Sequence, residues 1–152
     1  MKANFFFQNP NAPKPNKPNH IGVTAIISYK NKILFEKRSD SGRWALIGGG
    51  LKIDESLEQC LKREILEETG IEIHKYKLID ICDDPSRIVQ YPDGNILRII
   101  TVLYSCEVDS INDLVFSDES IDLQFFAIDE ICKMDIVETH KHIVDEYILK
   151  NI

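Results

Sequence analysis

The sequence predicts an α/β fold: a mixed β-sheet sandwiched between helices. Three observations predict it. Short β-rich runs alternate with turn signals along most of the chain, and two stretches carry helical periodicity. The length, 152 residues, allows one domain with a real core. A composition of 43% apolar and 28% charged residues is ordinary for a soluble globular protein. The formal net charge of −7 argues against binding a phosphate backbone, which needs clustered Lys and Arg. It leaves room for a small anionic substrate, because a bound metal reverses the local sign.

Taken in order, residues 1–9 contain Phe5-Phe6-Phe7, too short for the apolar core of a signal peptide. No run approaches membrane-spanning length, so a cytoplasmic protein with no membrane partner is expected. The phenylalanine cluster suggests a segment that is tied down, for example at a homodimer contact. Residues 9–19, NPNAPKPNKPN, read as extended or irregular chain that either packs across the domain or stays mobile. Residues 1–19 therefore read as an N-terminal extension and residues 20–152 as the domain.

Residues 21–29 form a β-rich run, Lys30-Asn31 a turn, and residues 32–37 a returning strand. A polar loop, RSDSGR, leads to a short strand at 44–47 and into the glycines. Beyond the helix at 57–69, residues 71–82 read as a strand ended by Asp83-Asp84-Pro85-Ser86. A hairpin follows, with strands at 87–91 and 96–108 around Pro92-Asp93-Gly94-Asn95. Residues 123–128 form a last strand, Asp129 starts a short helix, and residues 139–149 form the C-terminal helix, with Ile143, Val144, Tyr147 and Ile148 on its apolar side. Cys60, Cys82, Cys106 and Cys132 are widely spaced without a C-x-x-C and read as buried reduced thiols.

The central helix has local reasons to start and stop where it does. Ser56 and Gln59 make an S-x-x-Q capping box, and Gly70 before β-branched Ile71 is a C-terminal stop. At about 100° per residue, Glu64, Glu67 and Glu68 share one face, beside an apolar stripe of Leu57, Leu61 and Ile65. The bland alternative is a charged helix with incidental glutamates, but a solvated face would point them away from the leucines. Three like charges on one turn repel unless a cation neutralises them. Oxygen-only ligands select a hard ion, Mg²⁺ or Mn²⁺, over zinc. The glycine loop alongside allows close backbone approach, and a carbonyl there could complete the coordination.

Written as a pattern, the stretch is G-x5-E-x7-R-E-U-x-E-E-x-G-U with U aliphatic, at Gly49, Glu55, Arg63, Glu64, Ile65, Glu67, Glu68, Gly70 and Ile71. Every defined position resembles the Nudix box, signature of hydrolases acting on nucleoside diphosphates linked to another group. Ile47 stands where a proline usually precedes the glycines, and Lys52 where an acid is frequent. The resemblance implies a Nudix-type α/β/α sandwich with a mixed β-sheet. It implies that Glu64, Glu67, Glu68 and the carbonyl of Gly48 bind the metals, with Glu64 as general base. Arg63 would orient the glutamates and Glu55 would brace the loop. A distal carboxylate is expected before the last strand, at Glu119, with Asp118 and Asp122 competing.

Arg38, Arg87 and Arg98 are candidates to hold substrate phosphates, which guanidinium binds bidentately. Tyr91, Phe35 or Phe6 could stack on a base, although an aromatic in a strand is more often core. His140 and His142, two apart on a helix, do not share a face and read as surface residues, while His20 and His74 carry no signal. The implied activity is Mg²⁺-dependent hydrolysis of a pyrophosphate bond in a small nucleotide. Pro85, near the offset of a proline in relatives acting on ADP-ribose, leans the choice toward ADP-ribose or a nucleotide sugar. The rivals are a nucleoside triphosphate pyrophosphohydrolase and, in another class, a non-catalytic nucleotide sensor. The sensor would be expected to have lost box glutamates, and all four remain.

Overall fold

The computed structural model describes residues 2–112, 114, 115 and 117–151, the last by its backbone. Nine strands lie in one sheet: β1 (Asn4–Phe6), β2 (His20–Tyr29), β3 (Lys32–Arg38), β4 (Trp44–Ala45), β5 (Ile47–Gly50), β6 (Lys75–Cys82), β7 (Ile88–Gln90), β8 (Ile96–Glu107) and β9 (Ser120–Phe126). The helices are α1 (Leu57–Thr69), α2 (Ile128–Ile131) and α3 (Glu138–Ile143). α3 widens into a π-helical turn, Val144–Ile148, and ends in a 3₁₀ turn, Leu149–Asn151. Among the described residues no helix is long and apolar enough to cross a membrane.

β2 and β8 make the centre. They run parallel from His20↔Ile99 to Ser28↔Glu107, while every other pairing is antiparallel, so the sheet is mixed. Alternating side chains split the interior into two layers. Ala25, Ile27, Leu34, Val102 and Tyr104 pack with Leu61 and Ile65 of α1. Ile26, Ile33, Phe35 and Leu103 pack with Ile131, Ile143 and Ile148 on the other face. The result is the α/β/α sandwich.

Helix α1 has the predicted ends. Ser56 accepts the Gln59 N–H, the Gln59 side chain returns the bond to the Ser56 N–H, and Gly70 closes the helix at φ 76°. Such a cap contributes about 1 kcal/mol. Elsewhere the strands differ from the sequence reading. Ile71 and Ile73 are buried under α1, but the ladder of β6 starts only at Lys75, so β-branching there serves packing. The run 44–47 divides because Ala45 pairs with β3 and Ile47 with β2. Cys132 is exposed, whereas the other three cysteines are buried as expected.

The N-terminal residues differ most. β1 joins the sheet beside β7, and Ala3 and Phe5 pack with Ala45, Val89 and Val137 in a third small core. Asn16 straps the following tract to the hairpin. Its N–H donates to Ile96 O, its Nδ2 donates to Gly94 O, and its Oδ1 accepts the Ile96 N–H.

Candidate active site

β5 runs into a loop at 51–56 and then into α1, so the glycines lie against the face of the helix that carries the glutamates. A Cβ on Gly49 would stand 2.2 Å from the Glu64 carboxyl carbon, and one on Gly48 would stand 2.1 Å from Val23 O. Only glycine lets that strand lie flush with β2 on one side and carry a carboxylate on the other.

Arg63 organises the acids. Its Nε and Nη2 fork onto both oxygens of Glu55 at 2.9 and 2.6 Å. Nη1 donates to Glu64 at 2.9 Å and to Glu67 at 3.2 Å, and Nη2 also reaches Gly50 O. Glu55 in turn accepts the Lys52 N–H, so one guanidinium ties the loop to two turns of helix. The Arg63 hydrogen bonds hold Glu55 at about 2. Burial, followed by Glu55, pushes the neighbouring Cys60 thiol up to about 12, which leaves it inert.

Glu68 points the other way, into the sheet. It is 5% exposed and accepts the Gly48 N–H at 3.2 Å. Burial, then the charges of Glu36, Glu64 and Glu119, push its pKa strongly upward. Glu36, from the middle of β3, is 4% exposed, and Ser120 Oγ donates to it at 2.6 Å. Burial raises Glu64 and Glu36 as well. Glu119 and Asp118 face the same space from the loop before β9, which Ser39 fixes by donating N–H and Oγ–H to Glu119 O. Asp122 is turned away, accepting from its neighbours Leu123 and Gln124.

The acids border a cavity of about 800 Å³, within the range of small-molecule sites. Phe5, Arg38, Val89, Tyr91 and His140 line it as well. Of the three candidate arginines, Arg38 reaches this cavity with a free edge. It holds Asp40 through Nε and Nη2, and Nη1 has no hydrogen-bond partner among the described residues. Arg87 also borders the cavity but is 0% exposed. Its donors go to Cys82 O, Ile99 O, Thr101 Oγ1, Thr139 O and His142 Nε2. A guanidinium so fully used clamps β8 to α3 and has little left for a phosphate. Arg98 does not line the cavity, because it alternates along β8 with Ile99 and Thr101, which do; its Nη2 donates to Asp83 O. Of the base-stacking candidates, Tyr91 reaches the cavity, Phe35 is core, and half-buried Phe6 does not line the cavity; Pro85, the hint toward ADP-ribose, is exposed in a turn.

Both helix histidines correct the surface reading. His140 Nδ1 accepts the Leu46 N–H, so its proton sits on Nε2 in a neutral ring, and burial lowers its pKa. His142 stacks on Phe7 at 4.2 Å and accepts from Arg87 Nε. His20, passed over in the sequence, lies under Gly50 at the cavity edge.

Burial, then Arg87, holds His142 at about 4, against an unfolded value near 6.5, with Asp84 and Asp145 pulling the other way. A depressed basic pKa gives stability that is complete above about pH 6.5 and is lost as pH falls towards 4. Discounted for partial exposure, the loss is about 1–2 kcal/mol, roughly 3–8 °C in Tm. His142→Gln keeps an acceptor for Arg87 but cannot titrate, so its Tm should fall less over that window. Equal slopes for the two proteins, measured by thermal denaturation at several pH values, would show that His142 is not buried neutral.

The donor set suits a hard divalent cation. The charged side chains crowded together there are carboxylates, from α1, β3 and the 117–119 loop, in a buried space. Among the described residues no three His, Cys, Asp or Glu side chains form a finished cage. Mg²⁺ needs none, since it keeps waters and takes substrate phosphates as ligands.

A family model described as the NUDIX domain matches residues 18–147. An ADP-ribose pyrophosphatase of Methanocaldococcus jannaschii is 30% identical over 131 residues, covering 84% of this chain and 72% of that protein. A nucleoside triphosphatase NudI of Enterobacter is 34% identical over 101 residues, 64% of this chain and 70% of that one. Among solved structures, a bifunctional NMN adenylyltransferase/ADP ribose pyrophosphatase from Francisella tularensis, complexed with AMP and a Mn ion, superposes with a TM-score of 0.67 at 26% identity. That match covers 87% of this chain and 42% of the larger protein.

Proposed function

The chain belongs to the Nudix family of hydrolases, and we propose that it uses Mg²⁺ to hydrolyse the pyrophosphate bond of ADP-ribose or a related nucleoside diphosphate sugar. The observation that carries the reading is the cavity: it is lined by buried carboxylates, and also by an arginine edge, a tyrosine and a neutral imidazole. The first can bind a cation bridging phosphates, and the second can bind the sugar and base that hang from them. The ADP-ribose pyrophosphatase relative supports the choice of substrate.

Glu67 and Glu68, with Glu64 and the carbonyl of Gly48, would hold Mg²⁺. When bound, the cation neutralises the phosphate oxygens and stabilises the leaving phosphate. Glu64 takes the proton of the attacking water. An O–P bond forms as the bridging P–O bond breaks, giving AMP and a sugar phosphate from ADP-ribose. Arg63 keeps Glu64 and Glu67 aimed, Glu55 anchors Arg63 to the loop, Glu119 enters from the loop before β9, and Arg38 meets a phosphate.

The test is product release with Mg²⁺ across ADP-ribose, nucleotide sugars, dinucleoside polyphosphates and nucleoside triphosphates. Preference for ADP-ribose, abolished by EDTA, is expected. Preference for a nucleoside triphosphate would move the protein to the second reading, which its NudI relative supports. Silence across the panel, with cation binding intact, would favour a sensor.

A further inference from the structure

One wall of the cavity is built partly by a residue outside the matched family domain, Phe5. Residues 3–8 lie before the start of that domain at residue 18, yet five contacts fix them to it. Ala3 N–H donates to Asp40 O at 3.0 Å, β1 pairs with β7, and the Phe5 ring lies 5.3 Å under the Arg38 guanidinium. Phe7 stacks on His142, and Gln8 N–H donates to Ser86 Oγ.

Two of these contacts converge on one device. Arg38 is fixed below by the face of Phe5 and at its side by the Asp40 carboxylate. Asp40 is itself pinned through its backbone by Ala3. Phe5 is 6% exposed, so it offers almost no surface to a ligand. What it offers is a flat support for a cation, which an aromatic face provides and an aliphatic side chain does not. Gripped on two sides, Arg38 keeps the two Nη1 hydrogens and the second one on Nη2 for a ligand. Ser39, the next residue, holds Glu119 O, so the same loop sets both the cationic wall and the distal acid.

We propose that the N-terminal strand is a specificity element of the substrate cavity, and that Phe5 is a positioning residue that holds Arg38 to bind a substrate phosphate. The inference rests on the reading of the cavity as a nucleoside diphosphate site. It assigns a binding role to residues lying before the family domain.

The discriminating substitution is Phe5→Leu, which keeps apolar bulk in the small core and removes the ring. Phe5→Tyr restores the ring, and Arg38→Gln is the reference. With ADP-ribose and Mg²⁺, Phe5→Leu is expected to raise KM about five- to tenfold with kcat within about twofold. Phe5→Tyr should return KM to the parent value. Phe5→Leu combined with Arg38→Gln should be no worse than Arg38→Gln alone, because the two act as a unit. Calorimetric binding of inorganic pyrophosphate to the full chain reads the same coupling without turnover. There Phe5→Leu and Arg38→Gln should weaken binding in parallel. If the parent protein ignores ADP-ribose but binds pyrophosphate with this pattern, the substrate reading fails and the positioning role stands. The proposal is overturned by a Phe5→Leu protein that loses thermal stability at unchanged KM and pyrophosphate affinity. Additive losses in the double variant, or pyrophosphate binding that is absent from the parent or indifferent to Arg38, overturn it equally.

Discussion

Replacing Glu64 and Glu67 together by glutamine lowers kcat by at least roughly 10³-fold, without lowering Tm in EDTA. The first half follows from what the two carboxylates do. In the proposed mechanism one takes a proton from water, a contribution of about 10²–10⁴, and both would help to hold the cation that neutralises the phosphates. Glutamine keeps the shape and loses the charge. The second half follows from crowding. Glu64 is pushed upward by burial and also feels Glu67 and Glu119 as like charges. Removing two charges from that space relieves repulsion that Arg63 offsets only in part, at the cost of two of its ion pairs. Steady-state rates with Mg²⁺, and melting curves with Mg²⁺ and with EDTA, read both. In the parent, Mg²⁺ should raise Tm by mass action; in the double variant the rise should largely vanish. Turnover within tenfold of the parent would refute the assignment of the box glutamates.

The parts of this site that were legible in the sequence are those set by neighbours along the chain. The ends of α1 follow from Ser56, Gln59 and Gly70, each acting within one turn. The shared face of Glu64, Glu67 and Glu68 follows from helical geometry alone. What escaped depends on contacts between residues far apart in sequence. Glu36 sits in KILFEK as one more charged residue near a strand end, yet that position faces α1 and the buried acids. A usable signal existed in the strand's parity, since Leu34 and Glu36 share a face and Leu34 is core. The same parity separates Arg98 from Ile99 and Thr101. His140 and Arg87 gave no local sign of burial, because their partners, Leu46 and the carbonyls of β8 and α3, lie 94 and up to 52 residues away. The Phe5–Phe7 cluster points to a segment that is tied down, and within the chain its anchor is β7.

Arg63→Lys should cost about 10²-fold in kcat/KM, because geometry at this site depends on the fork of the guanidinium as well as on its charge. Lysine can satisfy one acceptor well and cannot span Glu55, Glu64, Glu67 and Gly50 O together, as Arg63 does. Once the fork is gone, Glu55 no longer ties the loop to α1. The Glu64 carboxylate, which rests where a Gly49 Cβ would be, then loses its lateral hold. A catalytic oxygen displaced by about 1 Å is enough to account for a loss of that size. The loss should divide between kcat and cation affinity, since the same side chain aims a base and a ligand. Saturating Mn²⁺ should therefore recover part of the activity of Arg63→Lys and none of the activity lost in Glu64→Gln with Glu67→Gln. A titration of rate against Mn²⁺ for both variants separates the two cases. If saturating Mn²⁺ recovers nothing for Arg63→Lys, the arginine does not act through the cation's ligands.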